Sequence, residues 1–245
     1  MSYTQFKLFR WFMKRLLVED IHSLLFSTSI SLILLVFLSR KYIETVNILI
    51  KYLGSTGVIS NIALGVGTLI GFLASVPTTT IISSMLFKDK SSKFIEIILS
   101  APFSYREYLT SFTFSVVSLG IIINVLMIIT YICTVAIVSP NVFNIMTNGL
   151  IYVVSILITV ITSLFAIVAN LTLFKRSQKV RIGGLVSTLP SLLIYLIIVL
   201  LVKPFHIHTT LWPILNTLII TTIIIVIALT ITIAKIIKPE TLLTT

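Results

Sequence analysis

Residues 52–87 read YLGSTGVISNIALGVGTLIGFLASVPTTTIISSMLF, an apolar run without a single charged side chain. A helix needs about 20 apolar residues to cross the hydrocarbon core of a membrane. This run is longer than that, so we expect a helix that crosses the membrane and extends beyond it. Other charge-free runs occur on both sides of it, and together they decide the fold.

The overall composition leads to the same class of protein. The chain has 245 residues, of which 57% are hydrophobic and only 10% are charged, and its mean hydropathy is +1.15. In a soluble domain about a quarter of the residues are charged. Because this chain has too few charged residues to cover a water-facing surface, we expect an integral membrane protein.

Charged residues and one turn-rich segment divide the apolar runs into six predicted spans. The turn-rich segment, SPNVFNIMTNG at residues 139–149, interrupts a charge-free stretch that is too long for one helix. The predicted spans are residues 21–39, 58–86, 109–138, 150–174, 182–202 and 210–234. The predicted fold is therefore an all-α integral membrane protein with six transmembrane helices, in which residues 1–245 form a single domain.

An amphipathic helix is predicted at residues 6–20, before the first span. Its basic residues fall on one arc of the helix: Lys7, Arg10, Lys14 and Arg15. Its apolar residues fall on the opposite arc: Phe6, Phe9, Phe12, Met13, Leu16 and Leu17. Such a basic, aromatic-rich helix is typical of segments that lie in the plane of the lipid headgroups. The alternative is an extension that docks on a partner protein.

The distribution of Lys and Arg predicts the orientation. With six crossings both termini lie on one side, and that side holds fourteen of the 18 basic residues, against four on the other side. Basic residues concentrate on the cytoplasmic side of membrane proteins. We therefore predict a multi-pass protein of the cell membrane with both termini in the cytoplasm. The net charge of +11 is then explained by topology, and no nucleic-acid partner is expected.

The loop between spans two and three has an unusual pattern, KFIEIILSAPFSYREYL at residues 93–109. Lys93, Glu96 and Ser100 recur at the spacing of one polar helix face, with apolar residues around them. Pro102 ends this short helix, because the residue before a proline is disfavoured in the helical conformation. Ser104 and Glu107 then form a predicted capping box that begins span three.

This loop resembles a motif of ABC transporter permeases of the ABC-2 export type, E-R-E-x-G-T-L-E-L-L-L-S-T-P-x-S-R-x-E. Residues 95–102, IEIILSAP, match L-E-L-L-L-S-T-P, and Asp89-Lys90 stands at the leading acidic-basic pair. Ser91 replaces the second acidic residue, Lys93 replaces the glycine, and Arg106 lies one place after the arginine of the motif. An amphipathic helix before the first span is also a trait of that family.

The resemblance implies that residues 90–108 contain a cytoplasmic coupling helix that docks on a separate ATP-binding subunit. The residues implied in coupling are Phe94, Glu96, Ile98, Leu99, Pro102, Ser104, Arg106 and Glu107. The chain would be a permease subunit that pairs with a second permease subunit, as a homodimer or a close heterodimer. It would export an amphipathic, lipid-like or drug-like substrate, with ATP bound only by the partner subunit. Export of haem or of another cofactor is a further alternative within this class.

Motifs for chemistry are missing from the sequence. There is no G-x-x-x-x-G-K-S/T phosphate loop, so any ATP must be bound by another chain. Gly67-x-x-x-Gly71, with Ala74, is interpreted as a helix-packing face, and Pro77 is expected to kink or end its helix. His206 and His208 are too few ligands for a metal site. We therefore expect no enzyme activity, no cofactor and no metal.

Polar side chains inside the predicted spans allow two interpretations. Asn124 and Asn170, like the others, need hydrogen-bond partners in lipid, and bonds between helices would supply them. Alternatively, some line a weakly polar translocation path: Ser27, Thr28, Ser31, Asn61 and Thr68. Two other classes also stay open for the whole chain, an ATP-independent carrier or channel and a membrane scaffold that transports nothing.

Overall fold

The computed structural model describes residues 3–18, 21–53, 55–91 and 105–173, together with Ile224. This part of the chain is helical throughout except for short turns, as predicted. The helices are α1 (Tyr3–Val18), α2 (Ile21–Leu53), α3 (Ser55–Ser91), α4 (Tyr105–Val138), a 3₁₀ turn (Pro140–Val142), α5 (Phe143–Met146) and α6 (Gly149–Leu173). Helices satisfy every backbone polar group within one segment, which lipid requires.

Four stretches are long and apolar enough to cross a membrane: Ile21–Ile43, Gly65–Leu86, Glu107–Val138 and Phe143–Val168. They coincide with the first four predicted spans to within a few residues at most ends. The fifth and sixth predicted spans, 182–202 and 210–234, lie outside the described residues except for Ile224. The described part of the chain is thus that of a possible multi-pass helical membrane protein.

The helix α3 lies at the centre and packs against α2, α4 and α6. Two of its glycines allow the close approach of α6. A Cβ atom added to Gly67 would lie 2.9 Å from the carbonyl oxygen of Ile151, and one added to Gly71 would lie 2.8 Å from that of Ser155. These distances are too short for any side chain, so the interpretation of Gly67 and Gly71 as a packing face is confirmed.

Polar side chains join the same helices by hydrogen bonds. The side-chain amide of Asn124 on α4 donates to the Thr159 hydroxyl at 2.7 Å, and its oxygen accepts from Ser155 at 3.2 Å. At the other end of α6, Ser83 on α3 donates to the side-chain oxygen of Asn170 at 3.0 Å. For Asn124 and Asn170, the expectation of hydrogen bonds between helices is confirmed.

Pro77 does not end its helix, because α3 continues without interruption to Ser91. The prediction that Pro77 could end the helix is therefore wrong, and the alternative, a kink at Pro77, stays a prediction. Hydroxyl groups near the proline hydrogen-bond to carbonyl groups of the preceding turn. Thr78 donates to the Ala74 carbonyl at 3.1 Å, and Thr80 donates to that of Val76 at 2.8 Å. These bonds satisfy the hydroxyl groups of Thr78 and Thr80 within the helix, whereas the carbonyl group that lacks its usual N–H donor because of Pro77 is that of Leu73.

Candidate functional site: the junction of α1 with α3 and α4

The helix α1 packs along the first part of α4 in the same chain. The side chains of Phe12 and Leu16 are fully buried. Two serines of α4 donate to backbone carbonyl groups of α1, Ser111 to Gln5 at 3.1 Å and Ser115 to Phe9 at 3.3 Å. An amphipathic helix occurs over Tyr3–Val18, which begins before the predicted range 6–20, and residues 19–20 of that range lie outside the described residues. Its apolar arc is divided between α4 and the outer surface.

Aromatic rings form the centre of this contact. The Phe12 ring meets the Tyr108 ring edge-to-face with centroids 5.3 Å apart, and it meets Phe112 in the same way at 5.4 Å. Tyr108 and Phe112, one turn apart on α4, have nearly parallel rings. Edge-to-face contacts add to the energy of burial and restrict ring orientation. They therefore determine how α1 is rotated against α4.

A buried ion pair joins α1 to α3. The Arg15 guanidinium is bonded to the carboxylate of Asp89, with side-chain exposures of 10% and 0%. The Tyr108 hydroxyl lies 3.5 Å from the other carboxylate oxygen of Asp89, to which it donates. The Arg15 guanidinium also lies over the Trp11 ring at 5.2 Å. The prediction of Arg15 as one of four residues on an outward basic arc is wrong, because it turns inward to Asp89.

We call this set of contacts the α1 junction; it consists of Phe12, Arg15, Asp89, Tyr108 and Phe112. Asp89 lies in the last turn of α3 and Tyr108 in the first turn of α4. Residues 92–104 connect these two helix ends. The α1 junction thus contacts Asp89, immediately before the predicted coupling segment 90–108, and Tyr108, its last residue, and it links three helices at one end of the described bundle.

Most of the predicted coupling residues lie outside the described residues: Phe94, Glu96, Ile98, Leu99, Pro102 and Ser104. Arg106 is in the first turn of α4, but its side chain is not among those described. The Glu107 side chain is partly exposed, and its backbone carbonyl accepts a hydrogen bond from Thr110 at 3.2 Å. The helix α4 begins at Tyr105, which is where a cap at Ser104 would start it.

Four of the five residues predicted to line a translocation path have described side chains, and these are partly or fully buried. Ser27 donates to the backbone carbonyl of Ser23 at 2.7 Å. Thr28 and Ser31 are buried on the inward face of α2. Thr68 is buried and donates to the Gly65 carbonyl at 3.0 Å. Asn61 belongs to α3, with its side chain outside the described part. A lining role for these residues stays a prediction.

The residues of the α1 junction were missed as a site from the sequence. One signal was present: Asp89 is one of only seven acidic residues and follows closely after an apolar run. An acidic group at that position needs a cation if it is buried. The sequence could not identify that cation, because Arg15 is distant in the chain and lies among three other basic residues.

Comparison of the chain with protein-family models, with curated proteins and with solved structures finds no match.

Proposed function

We propose that the chain is the membrane-spanning permease subunit of an ATP-driven exporter, and that a separate ATP-binding subunit docks on residues 90–108. The observation that carries this proposal is the position of the α1 junction. It connects the two helix ends on either side of a segment that resembles the ABC-2 coupling motif. A push on that segment would move α3, α4 and α1 together.

In the proposed mechanism, closure of an ATP-bound ATPase dimer presses on the segment between α3 and α4. Glu96 engages a basic or hydrogen-bonding group of the ATPase, and Ile98 and Leu99, with Phe94, fill an apolar groove. Pro102 makes the corner, and Ser104 and Glu107 begin α4. Buried ion pairs and aromatic contacts resist separation, since breaking either leaves groups without their partners. The α1 junction would therefore transmit the displacement into the membrane helices.

The proposed substrate is amphipathic and lipid-like or drug-like. The described spans contain no Asp, Glu, Lys, Arg or His near their centres, whereas a proton-coupled carrier would use such groups. The hydroxyl and amide groups between the helices are only weakly polar. A pair of permease subunits, homodimeric or heterodimeric, would form the path, with both termini in the cytoplasm.

The test is purification of the full chain from its native membrane in mild detergent, followed by identification of co-purifying proteins. We expect a phosphate-loop ATPase with the native chain and its loss with Glu96→Arg. The matched control is Glu44→Arg, which makes the same charge change on the predicted opposite membrane face and should retain the ATPase. An ATPase absent from every sample would overturn the proposal and favour the ATP-independent carrier or the scaffold.

A further inference from the structure

The rotation of α1 about its own axis follows from its contacts with α3 and α4. Ser111 and Ser115 hold the side with Gln5 and Phe9 against α4. The Arg15–Asp89 ion pair holds the neighbouring side against the end of α3. Because these contacts face one way, the opposite side of α1 must face outward.

That outward side carries three exposed cations: Lys7, Arg10 and Lys14. They recur at three- and four-residue spacing, so they form one row along the helix. No acidic residue occurs within Tyr3–Val18, and the Lys7 ammonium lies 4.5 Å from the centroid of the Tyr3 ring at the same side. We call this row the basic face of α1.

Apolar side chains lie directly beside the basic face. Phe6 is 55% exposed and Leu17 is 41% exposed, and both lie between the basic face and the side packed on α4. The helix also contacts Ser111 and Ser115, which belong to the first turns of the candidate span Glu107–Val138. This contact places α1 beside the first turns of that candidate span, near the end at which the chain enters it.

We propose that the basic face of α1 binds the headgroups of anionic phospholipids, while Phe6 and Leu17 insert among the acyl chains beneath them. Phosphate oxygens accept hydrogen bonds from Lys and Arg, and apolar side chains at this depth have lipid as their neighbour. Each Lys or Arg near an anionic membrane surface strengthens binding roughly fivefold, from about 1 kcal/mol per cation. This inference does not depend on the proposed transport function.

Trp11 offers a direct measurement, since it lies on α1 and is 39% exposed. The chain has one other tryptophan, Trp212, which Trp212→Phe removes as a source of fluorescence. The full chain in that background is reconstituted into vesicles of phosphatidylcholine and phosphatidylglycerol in equal amounts. Either lipid is supplied with brominated acyl chains, which quench nearby tryptophan, and quenching by the two preparations is compared.

We expect severalfold enrichment of phosphatidylglycerol around Trp11 and near-equal quenching in the triple variant K7Q/R10Q/K14Q. High salt should reduce the enrichment as well, because exposed charges are screened. The charge-preserving variant K7R/R10K/K14R should keep it, which separates charge from a folding effect. Arg40→Gln changes an exposed cation near the far end of the candidate span Ile21–Ile43; it is the matched control and should change nothing.

Equal quenching by the two lipids with the unsubstituted basic face would overturn the proposal. So would enrichment that persists in K7Q/R10Q/K14Q. In the first case the basic face would be available to an acidic protein surface, and in the second the selectivity would arise elsewhere on the chain.

Discussion

The helices α2 and α3 are both apolar and long enough to span a membrane, yet they occupy opposite environments. In the apolar 18-residue stretch that defines the candidate span of α2, 17% of the residues are buried within the chain. In the corresponding stretch of α3, 78% are buried. The more apolar helix is the more exposed of the two. In a water-soluble protein we would expect the more apolar helix to be the more buried one, since burial of apolar surface drives folding in water.

The difference follows from what holds helices together in lipid. Acyl chains solvate leucine and phenylalanine as well as another helix does, so hydropathy does not select a neighbour. Small residues and polar groups do, because they allow close backbone approach and need hydrogen-bond partners. On α3 these are Gly67, Gly71 and Ser83. On α2 the buried ones are Thr28, Ser31 and Ser39, whereas Ser29 is exposed.

The largest loss of unfolding free energy is expected when the ion pair between Asp89, at the end of α3, and Arg15 of α1 is broken. Arg15→Leu would remove one partner of the buried Arg15–Asp89 ion pair, and breaking such a pair costs about 3–5 kcal/mol. The free energy of unfolding should fall by about that amount when the purified chain is titrated with a denaturing detergent.

Lys14→Leu is the matched control for Arg15→Leu. Lys14 is the preceding residue and is exposed, so we expect a change of less than about 0.5 kcal/mol. The double variant R15L/D89L should recover much of the loss, because no buried charge is then left alone. Equal losses in R15L and K14L would show that the ion pair does not hold α3 to α1.

A smaller loss of unfolding free energy is expected when the close contact between α3 and α6 is disturbed. Gly71→Ala places a methyl group 2.8 Å from the Ser155 carbonyl oxygen and 2.9 Å from the Cβ atom of Ile158. Overpacking of this kind costs about 1–3 kcal/mol of unfolding free energy. At Gly149 an added Cβ meets nothing within 4 Å, so Gly149→Ala should be close to neutral in the same titration. If Gly71→Ala left the unfolding free energy unchanged, close packing at Gly71 would not explain why α3 is buried.

The smallest change in unfolding free energy is expected for a substitution on the outer face of α2. Ile33 is 69% exposed, and Ile33→Ala should change the unfolding free energy by less than about 0.5 kcal/mol. The matched change Ile82→Ala on α3, where Ile82 is fully buried, should cost about 2–5 kcal/mol. A loss at Ile33 similar to that at Ile82 would mean that another protein surface covers this face of α2.

Several parts of the fold were predictable because they depend on residues close together in the chain. The break at residues 139–149 contains Asn148, whose side chain accepts the N–H of Leu150 at 3.0 Å. Gly67 and Gly71 are four residues apart, so the sequence alone places them on one helix face. The sequence left open whether Pro77 kinks or ends its helix, and α3 continues to Ser91, since lipid favours uninterrupted backbone hydrogen bonding.

The candidate site was less predictable. The segment that resembles a coupling motif was identified from residues 93–109, but the partners of its flanking helices were not. Asp89 was assigned to the motif, whereas its carboxylate is bonded to Arg15. Phe12 was expected on a lipid-facing arc and is instead enclosed by Tyr108 and Phe112. Pairs so far apart in the chain leave no local pattern.

The amino-acid sequence by itself predicted a membrane protein, the positions of the first four candidate spans and an amphipathic helix before them. Those properties depend on the cost of placing charged and backbone groups in lipid, which local composition reports. The tertiary structure alone decided that α3 is central, that Arg15 is buried and that Lys7, Arg10 and Lys14 face outward. Those properties depend on close packing and hydrogen bonding between distant segments, which hydropathy does not encode.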